Sequence, residues 1–255
     1  MANKKNNITF SDIAKYTNFS KTTISRYFNH PETLTEQNRN IIADALEKLN
    51  YKENKVAKIL ANGCTEFIGI IIPNLYVRYY SEILNQILST YEAFGYKFLV
   101  FISNGSKEDE RTYLQELLAY KIEGLIILSH TLPSIELANL HLPLVAVERE
   151  DTYISSVNSD NYQGTILACE NLSSHDCEVF LHISAPTTRT TPAYKRMEAF
   201  DDYCEEHQLL HQTFMEEMGT SHEEVKKHLT HILEQIERNY SGIRKGIFIS
   251  GDTYA

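Results

Sequence analysis

Between Ser20 and Asn29 the chain reads SKTTISRYFN. Lys21, Thr22, Thr23, Ser25 and Arg26 are short polar or basic residues with two apolar ones, Ile24 and Tyr27, set among them. On a helix spanning 21–28, capped by Ser20, the apolar pair turns inward and the polar set outward. A capped helix with such an outward face suits entry into the major groove of DNA. The same stretch also fits a plain helical hairpin with a solvated face.

Other groupings could carry chemistry and are weaker. His228 and His231 stand at i, i+3 with Glu224 one turn earlier, a spacing compatible with a metal but set on a strongly charged helix. His207 and His211 have helical spacing near an expected helix end. Cys169 lies in an apolar helix and reads as core. No G-x-G-x-x-G, G-x-x-x-x-G-K-[ST] or G-x-S-x-G occurs, so neither a nucleotide fingerprint nor a nucleophile elbow supports an enzyme. No catalytic residue, metal or cofactor is expected.

The polar helix needs a scaffold. Thr9, with Asp12 three residues on, opens a helix over 10–16. Thr17-Asn18-Phe19 forms the turn, and Asn tolerates the left-handed conformation a reversal needs. Thr35 caps a third helix over 36–49, whose Ile41, Ile42, Ala45, Leu46 and Leu49 would pack on the first two. Residues 55–63 can form two turns of helix, too short to stand alone in water. They read as a linker, or as a segment that folds on binding with Leu60 as a wedge for the minor groove.

From residue 66 the texture alternates between strand and helix: strands at 67–72, 97–102, 124–128 and 144–147, helices at 80–94, 108–119 and 134–140. The rhythm restarts with a strand at 156–158, a helix at 162–172 and a strand at 179–183. Helices at 193–207 and 222–239 and a strand at 246–249 follow. Such alternation implies parallel, doubly wound sheets in two successive lobes, with a cleft between them as the default ligand site.

Charge divides the same way. Residues 1–62 carry a net +4 and residues 63–255 a net −14, within a total of −10 over 255 residues. A basic head on an acidic body fits a small DNA-binding domain attached to a larger one that does not bind DNA. Cys64, Cys169, Cys177 and Cys204 show no C-x-x-C spacing and suggest reduced thiols. The N-terminus has no apolar run typical of a secretory signal, and no segment approaches the roughly 20 apolar residues that span a bilayer. A cytoplasmic protein with no membrane partner is expected.

The runs ITFSDIAKYTNFSKTTISRYFNHPETLTEQNRNIIADALEKLNYKEN and KVAKILANG, followed by FIGIIIPNL, GYKFLV, EGLIIL and VNSDNYQGT, carry a resemblance to the lactose-repressor/galactose-repressor family of bacterial transcription regulators. The resemblance covers essentially the whole chain and is strongest over 8–62. It implies an α + α/β architecture: a three-helix helix-turn-helix head (1–54), a hinge helix (55–63), and a two-lobed core like that of periplasmic sugar-binding proteins (64–160 and 161–255). It also implies a dimer on a pseudo-palindromic operator in double-stranded DNA, released by a small sugar or sugar phosphate, in control of sugar-utilisation genes.

Carried over by position, the resemblance puts Lys21, Thr22 and Arg26 on base edges and Ser20, Thr23 and Ser25 near phosphates. Thr9, Asn29, Tyr51, Asn54, Val56 and Ala57 join the DNA-facing set, and Leu60 matches the hinge leucine. Arginine pairs bidentately with guanine and threonine packs on a thymine methyl, which suits these roles. In the cleft it points to Tyr79, Tyr80, Glu148, Arg149, Asp160, Arg196 and Asp252, with Asn161 at the same strand ends. Tyr79 and Tyr80 could instead pack as a helix cap, and Arg196 could pair with Glu198 or Asp201. Departures are Asn18 for a usual Gly, Glu53 for a hinge proline, Lys58 for a hinge arginine, and Gly251 for an amide beside Asp252. Family members continue for roughly another half-lobe beyond Ala255, so the second lobe is expected to be truncated.

Alternatives remain: a catabolite-control regulator of the same fold using a phosphoprotein co-effector, a truncated effector-insensitive remnant, and a solute-binding protein serving a transporter.

Overall fold

The structure is a computed structural model and describes residues 8–52, 63–149, 151–189 and 191–251. Two compact units result, Met1–Cys64 and Thr65–Ala255.

In the first unit the helices are α1 (Phe10–Thr17), α2 (Lys21–Asn29) and α3 (Glu36–Lys48), with a 3-10 turn at Pro31–Thr33. Each start follows from the local sequence. Thr9 and Asp12 form a capping box, Ser20 Oγ accepts from the Thr23 amide at 3.1 Å, and Thr35 Oγ1 from the Asn38 amide at 3.3 Å. Asn18 adopts φ 57°, the left-handed residue the turn requires. Ile13, Ala14, Ile24 and Ile42 close the core, with Phe19, Tyr27, Leu46 and Leu49 around them. Ile41 is a correction: it is 41 % exposed. One residue before the inward Ile42 is about 100° round the helix, so both cannot face the same partner.

In the second unit a five-stranded sheet has the order β2-β1-β3-β4-β5, all parallel. Its strands are β1 (Phe67–Ile72), β2 (Lys97–Ile102), β3 (Gly124–Leu128), β4 (Leu144–Val147) and β5 (Ser155–Val157). The connecting helices are α4 (Arg78–Ser89), α5 (Tyr91–Phe94), α6 (Lys107–Ala119) and α7 (Ser134–Ala138). Ile70 and Ile72 pack towards Ile83, Leu84 and Ile87 of α4, while Ile71 packs towards Leu114 and Leu117 of α6. Burial on both faces explains why β1 is continuously apolar. At Gly69 a Cβ would lie 2.9 Å from both Leu117 Cδ1 and Ile122 Cδ1, so a side chain there would have to displace these methyl groups.

A second parallel sheet has the order β7-β6-β8 among the described residues. It contains β6 (Val179–Ser184), β7 (Leu210–Met215) and β8 (Lys245–Ile249), with α8 (Asn161–Ser173), α9 (Tyr194–Glu206) and α10 (His222–Asn239). Apolar clusters lie on both of its faces.

Two expectations change. The single helix over 80–94 is two helices broken at Thr90, whose amide and hydroxyl both turn back to the Ile87 carbonyl. The strand β7 was not anticipated, and it carries His211, so His207 and His211 do not share a helix. Its sequence LHQTFM puts three polar residues in a row, which suits an edge strand and hides the period-2 signal.

Candidate functional site

The outward side of α2 is the first candidate. Lys21, Thr22 and Arg26 are exposed, and Thr23 and Ser25 are half-buried. Ser20 and Thr23 hydroxyls lie 2.9 Å apart, and Asn29 donates its amide to Ser25 Oγ at 3.2 Å. These short side chains are therefore tied back to the helix, while Lys21, Thr22 and Arg26 extend from it. Thr9 uses its hydroxyl on Asp12 Oδ2 at 2.7 Å, which with the Thr9 amide bond holds that carboxyl below its usual range. Tyr51 packs its ring against Phe28 and Phe10, with centroids 5.7 and 6.2 Å apart. Asn54, Val56, Ala57 and Leu60 lie outside the described residues.

The second candidate is a hollow in the second unit. It forms where both sheets switch direction, beyond the carboxyl ends of β1 and β3 in one and of β6 and β8 in the other. Its volume is about 340 Å3, and it brings together Tyr79, Tyr80, Ser129, Glu148, Arg196 and Ser250. The ring planes of Tyr79 and Tyr80 meet at 68° with centroids 5.6 Å apart. Tyr80 donates to Ser129 Oγ at 3.0 Å. Burial raises both phenols above their ordinary value, and the neighbouring Glu148 carboxylate pushes the same way. Glu148 is buried at 8 % exposure, with φ 53°, and its Oε1 accepts from the Ser159 amide at 2.9 Å and hydroxyl at 2.7 Å. Arg196 donates Nε to Asn161 Oδ1 at 2.7 Å and Nη1 to the Ser250 carbonyl.

Of the seven cleft residues expected, four therefore meet: Tyr79, Tyr80, Glu148 and Arg196. Arg149 does not join them. It lines a separate hollow of about 800 Å3 with His130, Asp151 and Arg189. Asp160 caps α8, accepting from the Gln163 amide at 3.0 Å, and borders a small recess on another side of Arg196. Asp252 lies outside the described residues. Arg196 takes Asn161 and Ser250, neither of the acidic partners that its sequence neighbourhood offered.

Sequence reasoning missed Ser129, Ser159 and Ser250. Each follows the end of a strand, and that position was the available signal; single serines give no other. The remaining histidine grouping is accounted for locally. Glu224 completes a capping box with Ser221, His228 faces Glu216 at 3.4 Å, and His231 meets Gln235. No cluster of three or more ligating side chains occurs among the described residues. No helix among them is long and apolar enough to cross a membrane.

Aromatic faces, a buried carboxylate and a guanidinium around a few hundred Å3 have the chemistry to take a small polyhydroxylated molecule: rings can cover C–H surfaces, and charged groups can take hydroxyls.

Both units resemble known proteins. Residues 65–236 match the family of periplasmic binding proteins and the sugar binding domain of the LacI family, and residues 9–54 match the bacterial regulatory proteins of the lacI family. The ribose operon repressor of Halalkalibacterium halodurans is 30 % identical over 202 residues, 79 % of this chain and 61 % of that protein. The sucrose operon repressor of Streptococcus mutans is 30 % identical over 191 residues, 74 % of this chain and 60 % of that protein. The chain thus spans about 60 % of the length of the curated relatives it matches. Among solved structures, the Lac repressor dimer bound to operator and the anti-inducer ONPF superposes with a TM-score of 0.78 at 22 % identity, covering 95 % of this chain and 81 % of that one. The chain belongs to the LacI family of bacterial regulatory proteins.

Proposed function

We propose that the protein is a sequence-specific transcriptional repressor of sugar-utilisation genes. It binds a pseudo-palindromic operator as a homodimer and is released by a small sugar or sugar phosphate. The carrying observation is a capped helix with Lys21, Thr22 and Arg26 outward, in the same chain as a hollow suited to hydroxyls. Relatives named as ribose and sucrose operon repressors support the sugar reading. The protein works by binding and release, not by catalysis.

A dimer is supported by an apolar surface on the first sheet's β2 side. Phe94 is 72 % exposed, and Leu88, Tyr91, Val100 and Ile102 on α4, α5 and β2, an edge strand, are exposed with Tyr96 in the link before β2. Head residues 1–54 take the DNA, residues 55–63 the hinge role, and the lobes 64–160 and 161–255 the ligand. Ligand in the hollow changes the lobes' arrangement and lowers affinity for DNA by linkage.

The test is selection of bound duplexes from a random pool with the full chain, repeated with D-ribose, D-fructose, sucrose and glucose 6-phosphate. A recovered palindrome, bound with strong salt dependence and released by one of these ligands, is expected. No enrichment over random duplex overturns the DNA reading. Enrichment that none of the ligands changes overturns the ligand reading for this set.

A further inference from the structure

Buried polar side chains in a core need a reason, because a hydrocarbon of the same volume fills the space without desolvation. His182 is such a case. It lies on β6, the middle strand of the second sheet, whose six residues are all buried. It has 0 % exposure, and its ring lies 5.0 Å from Phe200 and 5.1 Å from Phe248.

Its polar contact leads to the hollow. Nε2 lies 2.6 Å from Ser250 Oγ, and the buried Nδ1 has no hydrogen-bond partner among the described residues. An orphaned lone pair is tolerated more readily than an orphaned N–H, so the proton sits on Nε2 and is donated to Ser250. Burial, aided by the positive charge of Arg196, brings the imidazole down to about 4, which keeps it neutral near pH 7.

Ser250 is then gripped by β6 twice. Its amide donates to the Ile183 carbonyl at 3.0 Å, and its hydroxyl accepts from His182. Its own carbonyl accepts from Arg196 Nη1, while Asn161 takes Nε. Two acceptors at two corners of a planar fork fix the direction of the whole guanidinium. Asn161 is itself held, donating Nδ2 to the Ser159 carbonyl at 3.2 Å, and Ser159 donates to Glu148. The network runs from the buried ring to the carboxylate on the far side of the hollow.

We propose that His182 is a positioning residue for Arg196: from inside the second lobe it fixes Ser250, and the Ser250 carbonyl aims the guanidinium at the ligand. The consequence for binding rests on the sugar-site reading, whereas the aim of Arg196 does not.

The test uses the full chain and begins without ligand. The Nε–H resonance of Arg196, assigned by its loss in Arg196→Lys, reports the Asn161 bond through its shift and its exchange with water. In His182→Leu and in Ser250→Ala, exchange should quicken about tenfold and the shift should move towards that of exposed arginines. His182→Gln, which keeps a donor near the Nε2 position, should restore most of the wild-type signal. Titration with D-ribose then reads affinity, with about a tenfold loss in the first two variants and recovery in the third. An unchanged Arg196 signal in Ser250→Ala overturns the proposal, and this variant decides alone if His182→Leu does not fold. So does a His182→Gln protein that matches His182→Leu, since the ring would then act by packing only. If D-ribose does not bind the wild type, the choice of sugar fails while the ligand-free resonance still decides the role of His182.

Discussion

On α2 the outward residues are held by the helix that bears them; around the hollow, each polar side chain is held by one from another element. Ser20 to Thr23 and Ser25 to Asn29 are contacts within one or two turns. Tyr80 to Ser129 spans 49 residues, Arg196 to Asn161 35, and His182 to Ser250 68. The difference suits the two proposed tasks. A surface reading a long polymer can present side chains on one rigid rod, because the polymer supplies the other half of the geometry. A small ligand must be enclosed from several directions, so its contacts come from distant strand ends. One site should therefore fail with its local core, the other with its network.

The strongest break is Ile42→Ala. Ile42 has 0 % exposure and touches the small core that α1, α2 and α3 share. The loss should be about 3 kcal/mol, a large part of what a domain this small possesses. Hydrogen exchange should show the α2 amides unprotected and operator binding gone, while β1 and β6 keep their protection and ligand affinity is unchanged. Loss of protection in the second unit as well would mean that the two regions do not fail separately.

Acid should do the opposite. His182, held neutral in the fold at about 4 by burial and then by the charge of Arg196, is protonated in the unfolded chain near 6.5. The fold therefore keeps its full stability above pH 6.5 and loses it as pH falls towards 4, by about 3 kcal/mol across that window. His130, buried in the first lobe and also lowered, adds in the same direction. The histidine of the described head, His30, is exposed. Melts followed at pH 7, 6, 5 and 4 should show the second unit's transition moving down first. In His182→Leu the slope between pH 6.5 and 4 should be smaller.

Arg196→Ala comes next. It removes the guanidinium and leaves the Asn161 Oδ1 and Ser250 carbonyl acceptors without it, so ligand affinity should fall by about 2 kcal/mol, roughly thirtyfold. Operator affinity without ligand should stay at its wild-type value. Calorimetry and a duplex-binding assay on the same preparation separate the two.

How far each region was legible follows from the same contrast. In the head, the caps Thr9, Ser20 and Thr35, the left-handed Asn18 and the inward Ile13, Ile24 and Ile42 are all set by spacings of three or four residues, which a sequence displays. In the second unit, β1 was legible as a continuous apolar run and β6 as a strand, but β7 was not, because its edge position permits His211-Gln212-Thr213. At the hollow, Tyr79, Tyr80, Glu148 and Arg196 were indicated by the family resemblance and not by a local pattern. Arg149, adjacent to Glu148, was expected beside it, yet successive residues past a strand end turn to different sides, and Arg149 lines the other hollow. The hydroxyls of Ser129, Ser159 and Ser250 meet partners 11 to 68 residues away, a relation no local pattern carries.

The mildest change sharpens the contrast most. Ser20→Ala deletes one hydroxyl, the one that accepts from the Thr23 amide and lies 2.9 Å from Thr23 Oγ1. It should cost the head about 1 kcal/mol as a lost N-cap. Ile24 and Ile42, which hold α2 against its neighbours, do not touch that hydroxyl's role, so the helix persists and only its first turn loosens. Lys21 and Thr22 sit in that turn and Arg26 one turn further on, so contacts made by the first two should weaken while the base preference set by Arg26 remains. Ser250→Ala deletes a hydroxyl too, but one bonded to a residue 68 positions away. If side chains on α2 are held locally, Ser20→Ala and Arg26→Ala should add within a few tenths of a kcal/mol in operator affinity. Around the hollow, Ser250→Ala and Arg196→Ala should fall well short of adding, because both cut the same chain of bonds. Two double-mutant cycles measure this directly, and equal additivity in both would remove the distinction between the two sites.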